Sequence, residues 1–408
     1  YTKYWGEDGF QFGTNGQEPF LRYGCPVDAC SVTHERSLLG ATGDFDAVLF
    51  SGVSSDWNEQ RDDTSQWRQP HQRFVLFAME SPIHFGLDWP KYNGFFNWTM
   101  TYRTDSDFPR PYGWIGAKKG SIIEGDPRHN GIGGSSTPES PNWIPYDAGQ
   151  FIQQVLPTKP QSFRDLAWRP KMVAWIVGNC RPTASMRNEY VQELSKHIPV
   201  DIFGSAKRCI AQTPIPCDKS YSVHNHGVDN CTQTVMRDYK FYLSFENSLC
   251  IDYVTEKFFG RMQQSILPVV LGAANYSAIA PPHSHLNVLD FASPKALADH
   301  LWYLHDHPEE YLSYFWWKDH YDAVAPWTTT DMGVDRQQHI SQTPPASQQE
   351  GRNNFGHAMC SLCSRLHGPA QQRKTYEDLM DWWQTQSQCG KGLRKLQSRL
   401  MQGRGPFR

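Results

Sequence analysis

The stretch "FYLSFENSLCIDYVTEKFF" at 241–259 places Glu246, Asn247, Asp252, Glu256 and Lys257 beside two of the most apolar elements of the chain. A Glu–Lys pair on a helix usually lies on a solvated face. Position argues for more here. Glu246 and Asn247 follow a strand-like run, and in open parallel sheets ligands bind beyond the carboxyl ends of the strands. A helix starts at the same place, and its free N–H groups favour phosphate. Lys257, one or two turns in, reaches an anion held at that terminus. Arg187 stands in the same relation to the helix after "MVAWIVGNC". Two helix starts, each with a cation, suit a pyrophosphate. No Walker-type loop and no G-x-G-x-x-G accompanies these strands, and "HNGIGGSS" at 129–136 follows nothing strand-like and reads as a loop. A nucleotide sugar fits these features better than ATP hydrolysis or hydride transfer.

Such a site needs a parallel sheet behind it. Short apolar runs at 46–52 ("DAVLFSG") and 73–79 ("RFVLFAM") read as buried strands, and Glu80 stands at the carboxyl end of the second. Strand 172–177, a helix over 185–197 and strand 200–203 form one unit. Strand 241–245, a helix from about 252 to 264 and strand 266–271 form another. On that helix Ile251, Val254, Phe258 and Met262 share a face, with Tyr253, Glu256 and Lys257 roughly opposite. A further strand is expected at 286–291, and Ser293 with Pro294 caps a following helix. Strands alternating with helices predict a parallel sheet covered on both faces, doubly wound in the second half. The first half is less regular. The stretch 114–170 is rich in Gly, Ser and Pro, and 328–356 reads as an exposed loop.

The chain has 408 residues, 39% hydrophobic and 20% charged, with a formal charge of −3. That length implies two domains, and the charge balance argues against nucleic acid as a partner. No apolar run approaches the roughly 20 residues of a membrane span. Tyr1 reads as the start of a trimmed product. Ten cysteines and three N-x-S/T sequons, at Asn97, Asn230 and Asn275, favour the secretory pathway. Cys25 and Cys30, with Cys360 and Cys363, suit either two disulfides or a four-thiolate zinc site. "DSD" at 105–107 has the form of a metal motif, but no strand end precedes it. His224, His226, His283 and His285 are spaced like ligands and read as loop histidines.

The central stretch, followed by "LPVVLG", resembles the signature of the α1,3-fucosyltransferases, glycosyltransferase family ten. "MESPIH" at 79–84, "WTMTYRTDSDFPRPYG" at 98–113, "WIVGNC…RNEYVQEL" at 175–194 and "CSLC" at 360–363 have counterparts there in the same order. "CPVDAC" at 25–30 and the tail "YEDLMDWW…C" resemble the invertebrate and plant branch that modifies the N-glycan core.

The resemblance implies two Rossmann-like α/β domains facing across a cleft, the GT-B arrangement. It divides the chain into an acceptor-side domain (1–150), a donor domain (151–330) and a carboxyl-terminal segment (331–408) tied back to the amino domain. The implied reaction is inverting transfer of fucose from GDP-β-L-fucose to the 3-hydroxyl of an asparagine-linked GlcNAc. Glu80 matches the base that takes the acceptor proton, on the wall opposite the donor. Arg187 and Lys257 match the diphosphate cations, and Glu246, Asn247, Tyr253 and Glu256 match donor-pocket positions. The family prefers disulfides over zinc, pairing Cys25 and Cys30 with Cys360 and Cys363, first with first. It implies no required cofactor, although a divalent cation stimulates some such enzymes. It also implies a type II Golgi protein whose membrane anchor lies outside this chain. The rival readings are Lewis-type fucosylation of antennal GlcNAc, another sugar nucleotide on the same architecture, and a sugar-binding pseudoenzyme.

Overall fold

The computed structural model describes residues 12, 15–35, 37–51, 68–84, 89–117, 161–178, 182–204, 215–216, 230–325, 356–369, 374–390 and 393–402. The expected Gly-rich stretch after 117, most of the 328–356 loop, His224, His226, Cys180, Cys209 and Cys217 lie outside them.

In the amino half, β1 (Ala47–Ser51), β2 (Arg73–Ala78) and β3 (Trp98–Thr101) form a three-stranded parallel sheet in that order. A short strand, β4 (Trp114–Ala117), closes this half. The carboxyl half holds a six-stranded parallel sheet. Its strands are β5 (Lys171–Ile176), β6 (Val200–Gly204), β7 (Ile215–Pro216), β8 (Tyr239–Phe245), β9 (Leu267–Leu271) and β10 (Leu286–Asn287). In space they run β10-β9-β8-β5-β6-β7. The chain starts in the middle, winds outward on one side, and returns to wind outward on the other. The reversal falls between β5 and β8, the position at which doubly wound sheets open a crevice for ligands. All seven residues of β8 are buried, because helices cover both faces and leave no solvent side to produce alternation.

Between β5 and β6 lies α1 (Arg187–Leu194), which buries Tyr190, Val191 and Leu194 as the helical spacing predicts. Between β8 and β9 lies α2 (Glu256–Gln263), four residues shorter at its start than expected. Asp252 has a φ of 60°, which no helix accepts, so the helix waits for Thr255 to cap it. Ile251 and Tyr253 therefore precede the helix. Tyr253 is buried with Val254, Phe258 and Met262 and does not lie opposite them on a wheel. The expected strand at 286–291 stops after Asn287, whose side chain accepts from the Leu289 N–H and caps a 3₁₀ turn at Val288–Asp290. The cap at Ser293 forms as predicted, starting α3 (Pro294–Asp306). The chain then pairs β11 (Tyr321–Val324) antiparallel with β4.

The carboxyl-terminal α4 (His357–His367) returns to the amino sheet. It buries Met359, Cys360, Leu362 and Cys363 against Phe20, Val75, Phe77, Trp98 and Phe108. Cys25 pairs with Cys360 and Cys30 with Cys363, which occupies the four thiols that a zinc site would need. A third disulfide joins Cys250 to Cys389. Among the described residues no helix is long and apolar enough to cross a membrane.

Candidate active site

Glu246 leaves the end of β8 and is wholly buried. Its Oε1 accepts the Thr255 N–H at 2.8 Å, and both carboxylate oxygens lie 3.0 Å from the Thr255 hydroxyl. The residue thus latches the strand end to the cap of α2. Burial raises Glu246 above the usual carboxyl range, and the Lys257 ammonium, 3.3 Å away, pulls it back down. Lys257 also meets Glu256 at 3.2 Å and the Thr255 hydroxyl at 2.8 Å. Burial alone would lower Lys257, but Glu246 and Glu256 outweigh it and hold the ammonium above its ordinary value. Lys257 stays charged at every working pH.

Arg187 opens α1 across the switch point. It is buried, donates to the Phe245 carbonyl at 3.2 Å and lies over the Trp175 ring. Burial lowers its pKa, with Glu246 chief among the groups opposing that shift. A guanidinium stays protonated regardless. Asn247 ties the two helix approaches together: its carbonyl accepts from the Ser185 N–H at 3.2 Å. Among the described residues its buried Oδ1 has no hydrogen-bond partner. Buried polar atoms are rarely left so. Beyond the strand end, Arg187 and Lys257 therefore stand among Glu246, Glu256 and Asn247, two cations beside two carboxylates, with one acceptor unspent.

Glu80 follows β2 in the amino half, the half opposite Arg187 and Lys257, and reaches the carboxyl half by one hydrogen bond: the Tyr253 hydroxyl donates to Glu80 Oε2 at 3.0 Å. Burial, and then Glu80, push the Tyr253 phenol well above its ordinary range, so it is a neutral donor. Tyr253 matches a donor-pocket position; among the described residues its hydroxyl bonds this carboxylate alone. The neighbouring backbone is held as well. Tyr112 donates to the Met79 carbonyl at 2.7 Å, and Ser81 donates to Ser248 at 2.7 Å.

The "DSD" carboxylates are already committed. Asp105 takes both arms of Arg103, and Asp107 meets Arg365, Lys374, Tyr376 and Thr99. This chemistry suits a structural knot, with the acidic oxygens neutralised by cations.

A family model described as "Glycosyltransferase family 10 (fucosyltransferase) C-term" matches residues 166–382, and one described as "Fucosyltransferase, N-terminal" matches 1–113. The chain belongs to glycosyltransferase family 10, the fucosyltransferases. Among its relatives, alpha-(1,3)-fucosyltransferase C of Drosophila melanogaster is 32% identical over 88% of this chain and 70% of its own length. Glycoprotein 3-alpha-L-fucosyltransferase A of the same organism is 30% identical over 92% of this chain and 58% of its own length. The human 4-galactosyl-N-acetylglucosaminide 3-alpha-L-fucosyltransferase FUT6 is 32% identical over 71% of this chain and 65% of its own length. The chain therefore spans between about half and three quarters of these relatives. A crystal structure titled as an alpha1,3-fucosyltransferase with GDP-fucose overlaps 81% of the chain at 16% identity and a TM-score of 0.40, a level that says little about shared detail.

In this fucosyltransferase several site-building residues escaped the sequence. Thr255 precedes the Glu–Lys pair in an N-cap pattern and was discoverable. Tyr112, Ser81, Ser248 and the Cys250–Cys389 bridge depend on contacts between residues far apart in the chain. One sequence reading is overturned. Asn97 is wholly buried, its Oδ1 accepting from Arg68 and the Phe74 N–H and its Nδ2 donating to the Lys374 carbonyl. An attached glycan has no room there. Asn275 is exposed, and the side chain of Asn230 lies outside the description.

Proposed function

We propose that this fucosyltransferase transfers L-fucose from GDP-β-L-fucose, with inversion, to the 3-hydroxyl of the asparagine-linked GlcNAc of N-glycans. The observation that carries the donor half is the gathering of Arg187 and Lys257 at the two helix starts beside the switch point. Arg187 and Lys257 would meet the diphosphate, and the unspent Asn247 acceptor and Glu256 would serve the sugar or ribose hydroxyls. Glu80 would take the acceptor proton. Inversion needs attack from the face opposite the leaving GDP, so the base must reach the acceptor while the cations hold the leaving group. The two lysine and arginine charges would do the work that a metal does elsewhere, and transfer that survives chelation by EDTA would support that.

Support for the core acceptor is the glycoprotein relative, which aligns over 92% of the chain, whereas the galactosyl-N-acetylglucosaminide enzyme aligns over 71%. Their identities, 30% and 32%, do not separate the readings. The Lewis-type alternative therefore stays as the second reading. Residence in the Golgi lumen follows from the proposed reaction and agrees with the disulfides among the described residues. The deciding experiment incubates the protein with GDP-fucose and a panel of free and peptide-linked glycans, read by fragmentation mass spectrometry. Fucose on the innermost GlcNAc supports the core reading; fucose on an antenna replaces it with the Lewis-type one; no product with any acceptor overturns both.

A further inference from the structure

We propose that Tyr253 is a positioning residue for the base: its phenol pins Oε2 of Glu80 and leaves Oε1 to receive the acceptor proton. The inference rests on Glu80 being that base. Its geometric ground is a set of three hydrogen bonds on three successive residues. Tyr112 holds the Met79 carbonyl, Tyr253 holds the Glu80 carboxylate, and Ser248 receives the Ser81 hydroxyl. His84, at the end of the same segment, meets Ser248 at 3.2 Å. Two of the three anchors, Tyr253 and Ser248, belong to the carboxyl half. They stand on the same short segment that carries Glu246, Asn247 and the cap of α2.

The pin is rigid because Tyr253 itself has no freedom. Its ring is 1% exposed and packs edge-on against Tyr102 at 5.0 Å and Tyr112 at 6.4 Å. Its backbone follows Asp252, whose carboxylate accepts both the N–H and the hydroxyl of Thr104 from the amino half. Among the described residues Glu80 Oε1 has no hydrogen-bond partner, and the carboxylate is only partly exposed. A carboxylate on a free stem samples many rotamers, and each wrong one costs rate, because a general base must lie within hydrogen-bond reach of the proton it removes. Tyr102 and Tyr112 from the amino half, and Tyr253 and Lys257 from the carboxyl half, are the titratable groups that feel Glu80. Among them only Tyr253 donates to it.

The test compares wild type, Tyr253→Phe, Glu80→Gln and the double variant. Each is assayed for turnover, pH–rate profile and GDP affinity with the best acceptor from the glycan panel. Phenylalanine keeps the buried ring and removes only the donor. Turnover of Tyr253→Phe should fall about 10- to 100-fold, the size of a lost charge-assisted hydrogen bond. GDP affinity should stay within about twofold, and the acid limb of the profile should move up by about one pH unit, since a bond favouring the carboxylate has gone. In the Glu80→Gln background the same change should cost under about threefold, because the tyrosine acts through the carboxylate. Fluorotyrosine at 253, a stronger donor of the same shape, should move the acid limb the other way, and it tests the proposal if the phenylalanine variant fails to fold. Wild-type turnover in Tyr253→Phe, or a loss of GDP affinity in step with turnover, overturns the proposal while a crippled Glu80→Gln leaves the base reading intact. Glu80→Gln at near wild-type rate overturns the base reading and this inference with it.

Discussion

Replacing Lys257 by methionine separates its pairing with buried Glu246 from its proposed contact with the donor diphosphate. Its Nζ lies 3.3 Å from Glu246 and 3.2 Å from Glu256, and it is the main positive charge facing the buried carboxylate. Glu246 has no exposed side-chain surface, whereas Lys257 keeps 28%. Methionine fills most of the stem but strands the Glu246 charge beside Thr255. Stranding one partner of a buried pair costs about 3–5 kcal/mol, and solvent at the lysine end trims the expected loss to about 2–3 kcal/mol at pH 7. The pH dependence has a definite sign. Burial already raises Glu246, and without Lys257 it rises further. The folded state then holds a proton that the unfolded state has released, so the deficit is full above the folded pKa and shrinks as pH falls through it. Adding Glu246→Gln removes the stranded charge and should recover most of the stability at pH 7. It should not restore the donor site. Loss of an ammonium from a diphosphate weakens binding by about 1.5–3 kcal/mol, roughly 10- to 150-fold. Thermal midpoints at pH 5 and pH 8, with calorimetric titration of GDP, on the wild type, both single variants and the double, separate the two effects. Equal instability in Lys257→Met and the double would show that Glu246 is not stranded by the change. Unchanged GDP affinity would put the diphosphate elsewhere.

Glu80→Gln keeps shape but cannot accept the proton, and transfer should fall by about a factor of 100 to 10,000. GDP affinity, measured on the same protein, should change little, and loss of both would make Glu80 structural. Asn97→Ala removes three buried hydrogen bonds and leaves the Phe74 N–H without its partner, for an expected loss of about 2–3 kcal/mol in thermal or urea unfolding; glycopeptide mapping of the wild type should find Asn97 bare. Burial lowers His283 and His285 to about 4, with His300 and His283 respectively adding to it. The unfolded chain takes protons near pH 6.5 and the folded chain does not, so stability should fall from pH 6.5 to about 4 and level off below; a His285→Gln variant with the same acid slope would refute this.

How much of this was legible in sequence depended on the range of the interaction. The end of β8 and the start of α1 were readable because apolar runs, caps and charged residues lie within a few positions of each other. Arg187, Glu246 and Lys257, which the sequence groups at two helix starts, do lie close together in the fold. The helix expected from about 252 starts later because Asp252 takes a φ of 60°, its carboxylate spent on Thr104, far along the chain in the amino half. Asn97 was misread for a similar reason: a sequon is a three-residue pattern, and the burial of this one is decided by Arg68, Phe74 and Lys374. The paired spacings at 25/30 and 360/363 did carry long-range information. Cys250 and Cys389 had no such spacing and could not be matched.

The Cys250–Cys389 bridge shows why the tail matters to a site it does not enter. Around the disulfide, the Ile251 N–H donates to the Ser387 carbonyl and the Gly390 N–H to the Leu249 carbonyl. Arg103 of the amino half donates to the Trp382 carbonyl and to the Ser387 hydroxyl, stacking on the Trp382 ring. The tail is thus fastened to both halves at once. The segment it fixes runs from Leu249 to Ile251, between Glu246 and Tyr253. On one side of that fixed point lies the carboxylate that steadies Lys257; on the other lies the phenol that steadies Glu80. A displacement of the segment would therefore disturb Lys257 and Glu80 together, although those two residues are contributed by different halves of the molecule. Under the proposed inverting transfer, base, acceptor, sugar and diphosphate must stand nearly in line, and the two halves must keep register. Hydrogen bonds through one short loop and a covalent anchor on its far side would hold that line.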